Sequence, residues 1–252
     1  MDTVETEQPL AGGNMGVVSR LGEEVLRPAG PWTPNVHRLL GLYAAAGIAE
    51  TPRPLGFAAD GRERLSFLPG VVPNYPLPAW VWADSVLDDA AVLLRRLHDA
   101  SLPLTGLRDG WRSPVREPAE VVCHNDFAPY NLVFAGERLH GVIDFDFCSP
   151  GPRVWDLAYL AYRLAPLTGW MEAGEPADDA RAARLARLLA SYGSDVTPDG
   201  LLPVVAERLR ALADFSDAAS AELGKPELAE HARIYRADAE RLAAGRIAPG
   251  SD

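Results

Sequence analysis

The sequence predicts an α+β protein in which a small β-rich part with one helix comes first and a larger, mainly α-helical part follows. Short apolar runs separated by glycine turns fill residues 8–70, prolines cluster near residues 70–80, and segments with helical periodicity dominate from there on. At 252 residues the chain allows one large or two small domains with a sizeable core.

Strands are expected at VVSRL from Val17, EVLR from Glu24, LGFAA from Leu55 and RLSFL from Arg64, with Asp60-Gly61 as a hairpin signal between the last two. Between these pairs Thr33 reads as an N-cap with Pro34 at the first helical position. They open the helix NVHRLLGLYAAAGI, which Gly47 can close. Prolines in and beside VVPNYPLPAW mark a linker or ordered crossover. Beyond it, SVLDDAAVLLRRLHDASL carries Val86, Ala90, Leu93, Leu94 and Leu97 on one face, the pattern of an amphipathic helix. Short strands around EVVCH, NLVF and HGVIDF come next. The rest is helical: WDLAYLAYRL from Trp155, a segment after Pro176 ending near Gly193, another opened by Thr197-Pro198, and a last one from Pro226.

Composition narrows the function. A net charge of −11 argues against nucleic acid or an anionic membrane as partner and favours cationic or metal-bridged ligands. Lys225 is the one lysine, so a mechanism needing a lysine elsewhere is excluded. Two cysteines, Cys123 and Cys148, cannot build a disulfide framework, and the acidic start MDTVETEQPL lacks the regions of a signal peptide. A cytoplasmic location is expected. No run of about 18 apolar residues reads as a membrane span.

The chemistry concentrates in HNDFAPYNLVF, residues 124–134, and in IDFDF at 143–147. Asn131 runs straight into an apolar strand, and Asp144 follows the next one. A hairpin of the two strands would bring Asn131 and Asp144 to one end of a sheet, where amide and carboxylate oxygens could hold Mg²⁺ with phosphates and waters completing its octahedron. Asp126 is then left to take a proton from, or orient, an attacking hydroxyl. The competing reading, that the three are turn residues making local hydrogen bonds, does not account for their joint spacing. Cys123, His124 and Cys148 fit no zinc spacing and are expected to be buried near the site rather than ligands.

The two segments, read as HNDFAPYNLVF…VIDFDFCSPGPRVWDLAY, resemble the aminoglycoside phosphotransferase and choline kinase family, whose fold is the bilobal protein-kinase-like one. The resemblance is dense over residues 121–162 and weaker, in the right order, over 10–70. It implies a nucleotide-binding lobe over 1–70, with a hinge at 66–70, and a catalytic and substrate-binding lobe over 71–252. It also implies Asp126 as catalytic base, Asn131 and Asp144 as magnesium ligands, and Asp146 in a magnesium-related role. His124 would support the loop, and Asp156 would bond the loop backbone from a helix start. Asn125 stands where the family often has glycine.

Gly12, Gly13 and Gly16 precede an extended run, so their N–H groups could approach phosphates. By resemblance, Arg27 takes the place of the lysine or arginine on the third strand. The helix that should carry its glutamate partner has no acid: His37 holds the nearest place, and Glu50 is an alternative. Ser66 C=O and Leu68 N–H would bond adenine at the hinge. Trp170, Glu172 and Glu175 are candidates for a substrate wall that attracts ammonium groups, although acids before a helix also have a purely structural use.

The expectation is an enzyme: a kinase using ATP (GTP not excluded) and Mg²⁺ to phosphorylate a hydroxyl of a small molecule, aminoglycoside-like or otherwise aminated acceptors first. The alternative is a catalytically silent nucleotide- or ligand-binding protein on the same fold, motivated by the missing lysine and helix glutamate. A metal-dependent hydrolase ranks third, since paired histidines are absent.

Overall fold

Short strands build an antiparallel sheet from β1 (Gln8–Pro9), β2 (Ser19–Leu21), β3 (Glu24–Arg27), β4 (Pro54–Phe57) and β5 (Glu63–Ser66). The strand order is β1-β2-β3-β5-β4, and the register sets Arg27 opposite Glu63. The computed structural model describes residues 6–10, 18–169 and 174–247. It divides into two compact units, one of Met1–Val72, Arg96–Asp126 and Asn131–Gly151, the other of Pro73–Arg95, Phe127–Tyr130 and Pro152–Asp252. The units interleave along the chain.

In the first unit, α1 (Thr33–Ala45) lies between β3 and β4 in sequence and buries Val36, Leu39, Leu40 and Tyr43, the spacing of one helical face. Its start differs from the sequence expectation. Trp32 is the cap, Thr33 is already helical, and the Thr33 hydroxyl accepts from the Gly30 N–H at 2.9 Å, so it fixes the turn before the helix instead. Gly47 ends the segment as expected, at φ 72°, where a side chain would be strained.

The same unit holds β6 (Val121–Cys123), β7 (Leu132–Ala135), β8 (Arg138–Val142) and β9 (Ser149–Gly151). β7 and β8 form a hairpin whose two loop residues, Gly136 and Glu137, both have positive φ, the turn that matches strand twist. β6 pairs with β9, so the chain returns beside its start after the hairpin.

The second unit is built mainly from helices: most of α2 (Asp84–Ser101), then α3 (Arg153–Leu164), α4 (Asp178–Tyr192), α5 (Pro198–Leu223) and α6 (Pro226–Ala243). Thr197 caps α5 through its side chain, with Pro198 at the first position, as the sequence predicts. No helix among the described residues is long and apolar enough to cross a membrane.

Polar clamps join α2 to α4. Asp88 accepts from Arg187 at 2.9 and 2.6 Å and from the Ser191 hydroxyl at 2.6 Å, and the Arg187 hydrogen bond holds its carboxyl below the ordinary aspartate range. A carboxyl depressed in the fold stabilises above its unfolded pKa and loses that contribution as pH falls through the folded one. Asp88→Asn is therefore expected to cost about 1 kcal/mol at neutral pH. The gap to the wild-type chain should close in urea unfolding series below the ordinary aspartate range.

Candidate functional site

The first unit brings His124, Asn125, Asp126, Asn131 and Asp144 together through its two small sheets. His124 follows β6 and is buried. Its Nε2 lies 3.1 Å from the Ile143 carbonyl, and its Nδ1 accepts from the Asp126 N–H at 3.3 Å. A carbonyl can only accept and an N–H only donate, so the ring is the neutral Nε2–H tautomer and ties the Asp126 loop to the strand end before Asp144. The ring also packs on Phe145, with centroids 4.7 Å apart.

Asn125 occupies the left-handed region at φ 65°. Asparagine tolerates this better than most residues. Its amide donates to the Phe147 carbonyl at 2.8 Å and to the Ser149 hydroxyl at 2.9 Å, bonds that a glycine could not make.

Asn131 and Asp126 meet directly. The Asn131 amide donates to the Asp126 carbonyl at 2.9 Å and to Asp126 Oδ2 at 2.8 Å, which turns Asn131 Oδ1 away as the acceptor atom left for a cation. The pairing Leu132↔Val142 continues in an Ile143 N–H to Asn131 carbonyl bond of 2.9 Å, so Asn131 and Asp144 stand at the same end of the hairpin. Asp144 is left-handed at φ 66°, and its side chain is 43% exposed.

Arg27 reaches from β3 into this group. Its Nε donates to Glu63 Oε2 at 2.5 Å, its Nη2 to Asp146 Oδ1 at 2.6 Å and its Nη1 to Asp144 Oδ1 at 3.3 Å. Burial works against the Arg27 charge, but Asp146, Glu63 and Asp144 outweigh it and hold the guanidinium protonated above its ordinary range. For Asp146, burial pushes the carboxyl up, with Arg27 opposing. Glu63 is fully buried and also bonds His37 Nε2 at 2.9 Å. Both alternatives for the Arg27 partner are thereby corrected. His37 touches Glu63 rather than serving as the partner itself, and Glu50 pairs with Arg96 at 2.6 Å.

Sequence reasoning missed Glu63 because it starts the strand one residue late, at Arg64. The available signal was an acid facing the Arg27 position across an antiparallel pair. Arg112 was missed too, and its arrangement gives no sequence signal. Its guanidinium lies 3.5 Å from Asp146 Oδ2 and sits over the rings of Trp32 and Phe147.

The remaining candidates scatter. Ser66 ends β5, and its hydroxyl and N–H hold Arg53 at 2.8 and 2.9 Å, while the neighbouring Phe67 N–H bonds the Glu23 carbonyl at 2.8 Å; Leu68 follows them. Asp156 lies buried in the first turn of α3, in the second unit. Glu175 does not face solvent as an acid meant to attract an aminated acceptor should: its side chain is 2% exposed, and Arg181 stands 3.8 Å away. Cys123 and Cys148 are buried, as expected, and form no disulfide. Gly12, Gly13, Gly16, Trp170 and Glu172 lie outside the described residues.

Residues 107–193, which hold the Asp126–Asp144 segment, match the model of the phosphotransferase enzyme family. Solved structures extend the likeness over nearly the whole chain. A GDP complex of a variant of aminoglycoside 2'-phosphotransferase-IIIa superposes with a TM-score of 0.68 at 14% identity, covering 96% of this chain and 94% of that one. A choline/ethanolamine kinase family protein from Mesorhizobium loti gives 0.63 at 17% identity, covering 94% and 87%. The fold is therefore the protein-kinase-like one of these phosphotransferases. Among curated proteins, the trifolitoxin immunity protein of Rhizobium leguminosarum bv. trifolii is 35% identical over 165 residues, 63% of this chain and 62% of that protein's length.

Burial separates the ion pairs energetically. Removing one partner of a buried pair leaves an uncompensated charge, whereas an exposed pair is screened. Glu63→Ala is expected to destabilise the chain by about 3 kcal/mol. Glu24→Ala, which breaks the half-exposed pair with Arg64 on the same sheet, should cost about 1 kcal/mol or less. Denaturant melts of the two variants check the contrast, and equal losses would contradict it.

Proposed function

We propose that the chain is a small-molecule phosphotransferase that moves the γ-phosphoryl group of a nucleoside triphosphate to a hydroxyl. The observation that carries this reading is the convergence of Asp126, Asn131 and Asp144 at one hairpin end, two of them joined by a 2.8 Å bond. The donor set fits Mg²⁺: an amide oxygen from Asn131 and a carboxylate from Asp144 are hard ligands, few enough to leave room for phosphates and water. Bound there, Mg²⁺ would neutralise charge on the β- and γ-phosphoryl oxygens.

The chain's own residues do the rest. Asp126, held by the Asn131 amide, accepts the proton of the acceptor hydroxyl as that oxygen bonds to the γ-phosphorus. The bond from the γ-phosphorus to its bridging oxygen breaks, and the nucleoside diphosphate leaves. Arg27 steadies phosphoryl oxygens through a guanidinium fork, itself braced by Glu63. His124 keeps the Asp126 loop in register with Asp144. Little covalent chemistry falls to the protein, so positioning and charge carry the rate. The motive for a silent nucleotide-binding protein weakens once Arg27 has a buried acid partner, although that partner comes from a strand.

ATP is the first nucleotide to test, with GTP beside it because the aminoglycoside 2'-phosphotransferase-IIIa neighbour was solved with GDP. Aminated acceptors rank first, on the net charge of −11 and on neighbours described as aminoglycoside and choline/ethanolamine kinases. Glu175 does not support that ranking, since its side chain is buried and stands 3.8 Å from the Arg181 guanidinium. A relative described as an immunity protein fits the modification of a toxic compound.

Incubation with labelled ATP or GTP, Mg²⁺ and a panel of aminoglycosides, macrolides and amino alcohols should yield a product heavier by one phosphoryl group. Asp126→Ala should lower turnover by about a hundredfold or more while nucleotide binding persists. Undiminished turnover in that variant would remove Asp126 from its role.

A further inference from the structure

Asp146 sits two residues beyond Asp144 in the 3-10 turn Phe145–Phe147, and its side chain is 16% exposed against 43% for Asp144. Both of its oxygens face guanidinium groups, Oδ1 that of Arg27 at 2.6 Å and Oδ2 that of Arg112 at 3.5 Å. A magnesium ion on Asp146 would have to displace or crowd two cations. Asp144 is more open and meets one guanidinium, that of Arg27 at 3.3 Å, rather than two.

Arg112 is arranged like a residue waiting for an anion. Its guanidinium carbon lies 4.5 Å from the Trp32 ring centroid and 4.4 Å from that of Phe147, so the two rings hold it by its faces and leave its edge for hydrogen bonds. The group carries five N–H donors. Among the described residues its hydrogen-bond acceptor is Asp146, at a long 3.5 Å. Glu63 offsets Arg27 and Asp146 offsets Arg112, so Asp144 is the acid of this cluster left to face a divalent ion.

We propose that Asp146 is a positioning carboxylate rather than a magnesium ligand, and that it orients Arg112 as a second guanidinium, beside Arg27, for the phosphoryl oxygens of the nucleotide. This rests on the proposed phosphotransferase reading. It replaces the magnesium-related role expected of Asp146. In a chain with no lysine before Lys225, two forked arginines take the place of one ammonium group.

The test uses the full chain and a fluorescent ATP analogue, titrated at fixed Mg²⁺, and then Mg²⁺ titrated at saturating analogue. Arg112→Ala and Asp146→Asn should each weaken nucleotide binding by about tenfold. The double variant should be little worse than either alone, since one residue acts through the other. The Mg²⁺ concentration for half-saturation should stay unchanged in both and rise in Asp144→Asn. Arg112→Lys should recover only part of the loss, because lysine keeps the charge without the stacked fork. Arg112→Lys keeps a cation beside Asp146 and is expected to melt like the wild-type chain, which keeps the test usable even if Arg112→Ala or Asp146→Asn fails to fold. A raised Mg²⁺ requirement in Asp146→Asn, or unchanged nucleotide binding in Arg112→Ala, overturns the proposal alone. Absence of any magnesium-dependent nucleotide binding by the wild-type chain overturns it together with the function it rests on.

Discussion

The Arg27 guanidinium is buried among three carboxylates, Glu63, Asp144 and Asp146, and this one charge cluster links the sheet of β3 and β5 to the turn that follows β8. Desolvating a guanidinium is costly, and only near-complete pairing offsets it. The cluster therefore limits how far the Asp144 turn can move from the sheet. It also keeps acids of like charge close together, an arrangement that a divalent cation relieves further. On the proposed reading, the stability of the unit and the binding of a metal-bound polyphosphate would depend on the same contacts.

Two residues held in the left-handed region frame the same chemistry. Asn125 and Asp144, at φ 65° and 66°, lie at the ends of neighbouring segments, with His124 bonded to both the loop and the strand end. Non-glycine residues in that region persist where surrounding structure compels them. Here the Asn125 amide bonds to the Phe147 carbonyl and Ser149 hydroxyl supply part of that compulsion. On the proposed phosphotransferase reading, a loop anchored in this way would present Asp126 and Asn131 without reorganising at the moment of reaction.

The local and periodic features were legible in the sequence. Glycine turns and alternation located β2 to β5, helical periodicity and Thr197-Pro198 located the later helices, and the spacing of Asp126, Asn131 and Asp144 anticipated their meeting at a hairpin end. What stayed hidden depends on register and on distant partners. Glu63 becomes the Arg27 partner only once β3 and β5 pair with these residues opposed. Arg112 lies in a loop with no periodicity, and its place is set by Trp32 and Phe147, far away in sequence. Glu50 and Glu175 look free as letters, yet Arg96 and Arg181 claim them in three dimensions.

The claim on which the account turns is that Asp144 and Asn131 hold a divalent ion together with a nucleotide. Electron paramagnetic resonance with Mn²⁺ in place of Mg²⁺ addresses it most directly. A bound-ion spectrum should develop only when nucleotide is present and should be lost in a folded Asp144→Asn chain. A spectrum that forms without nucleotide, or that survives that substitution unchanged, would contradict the account.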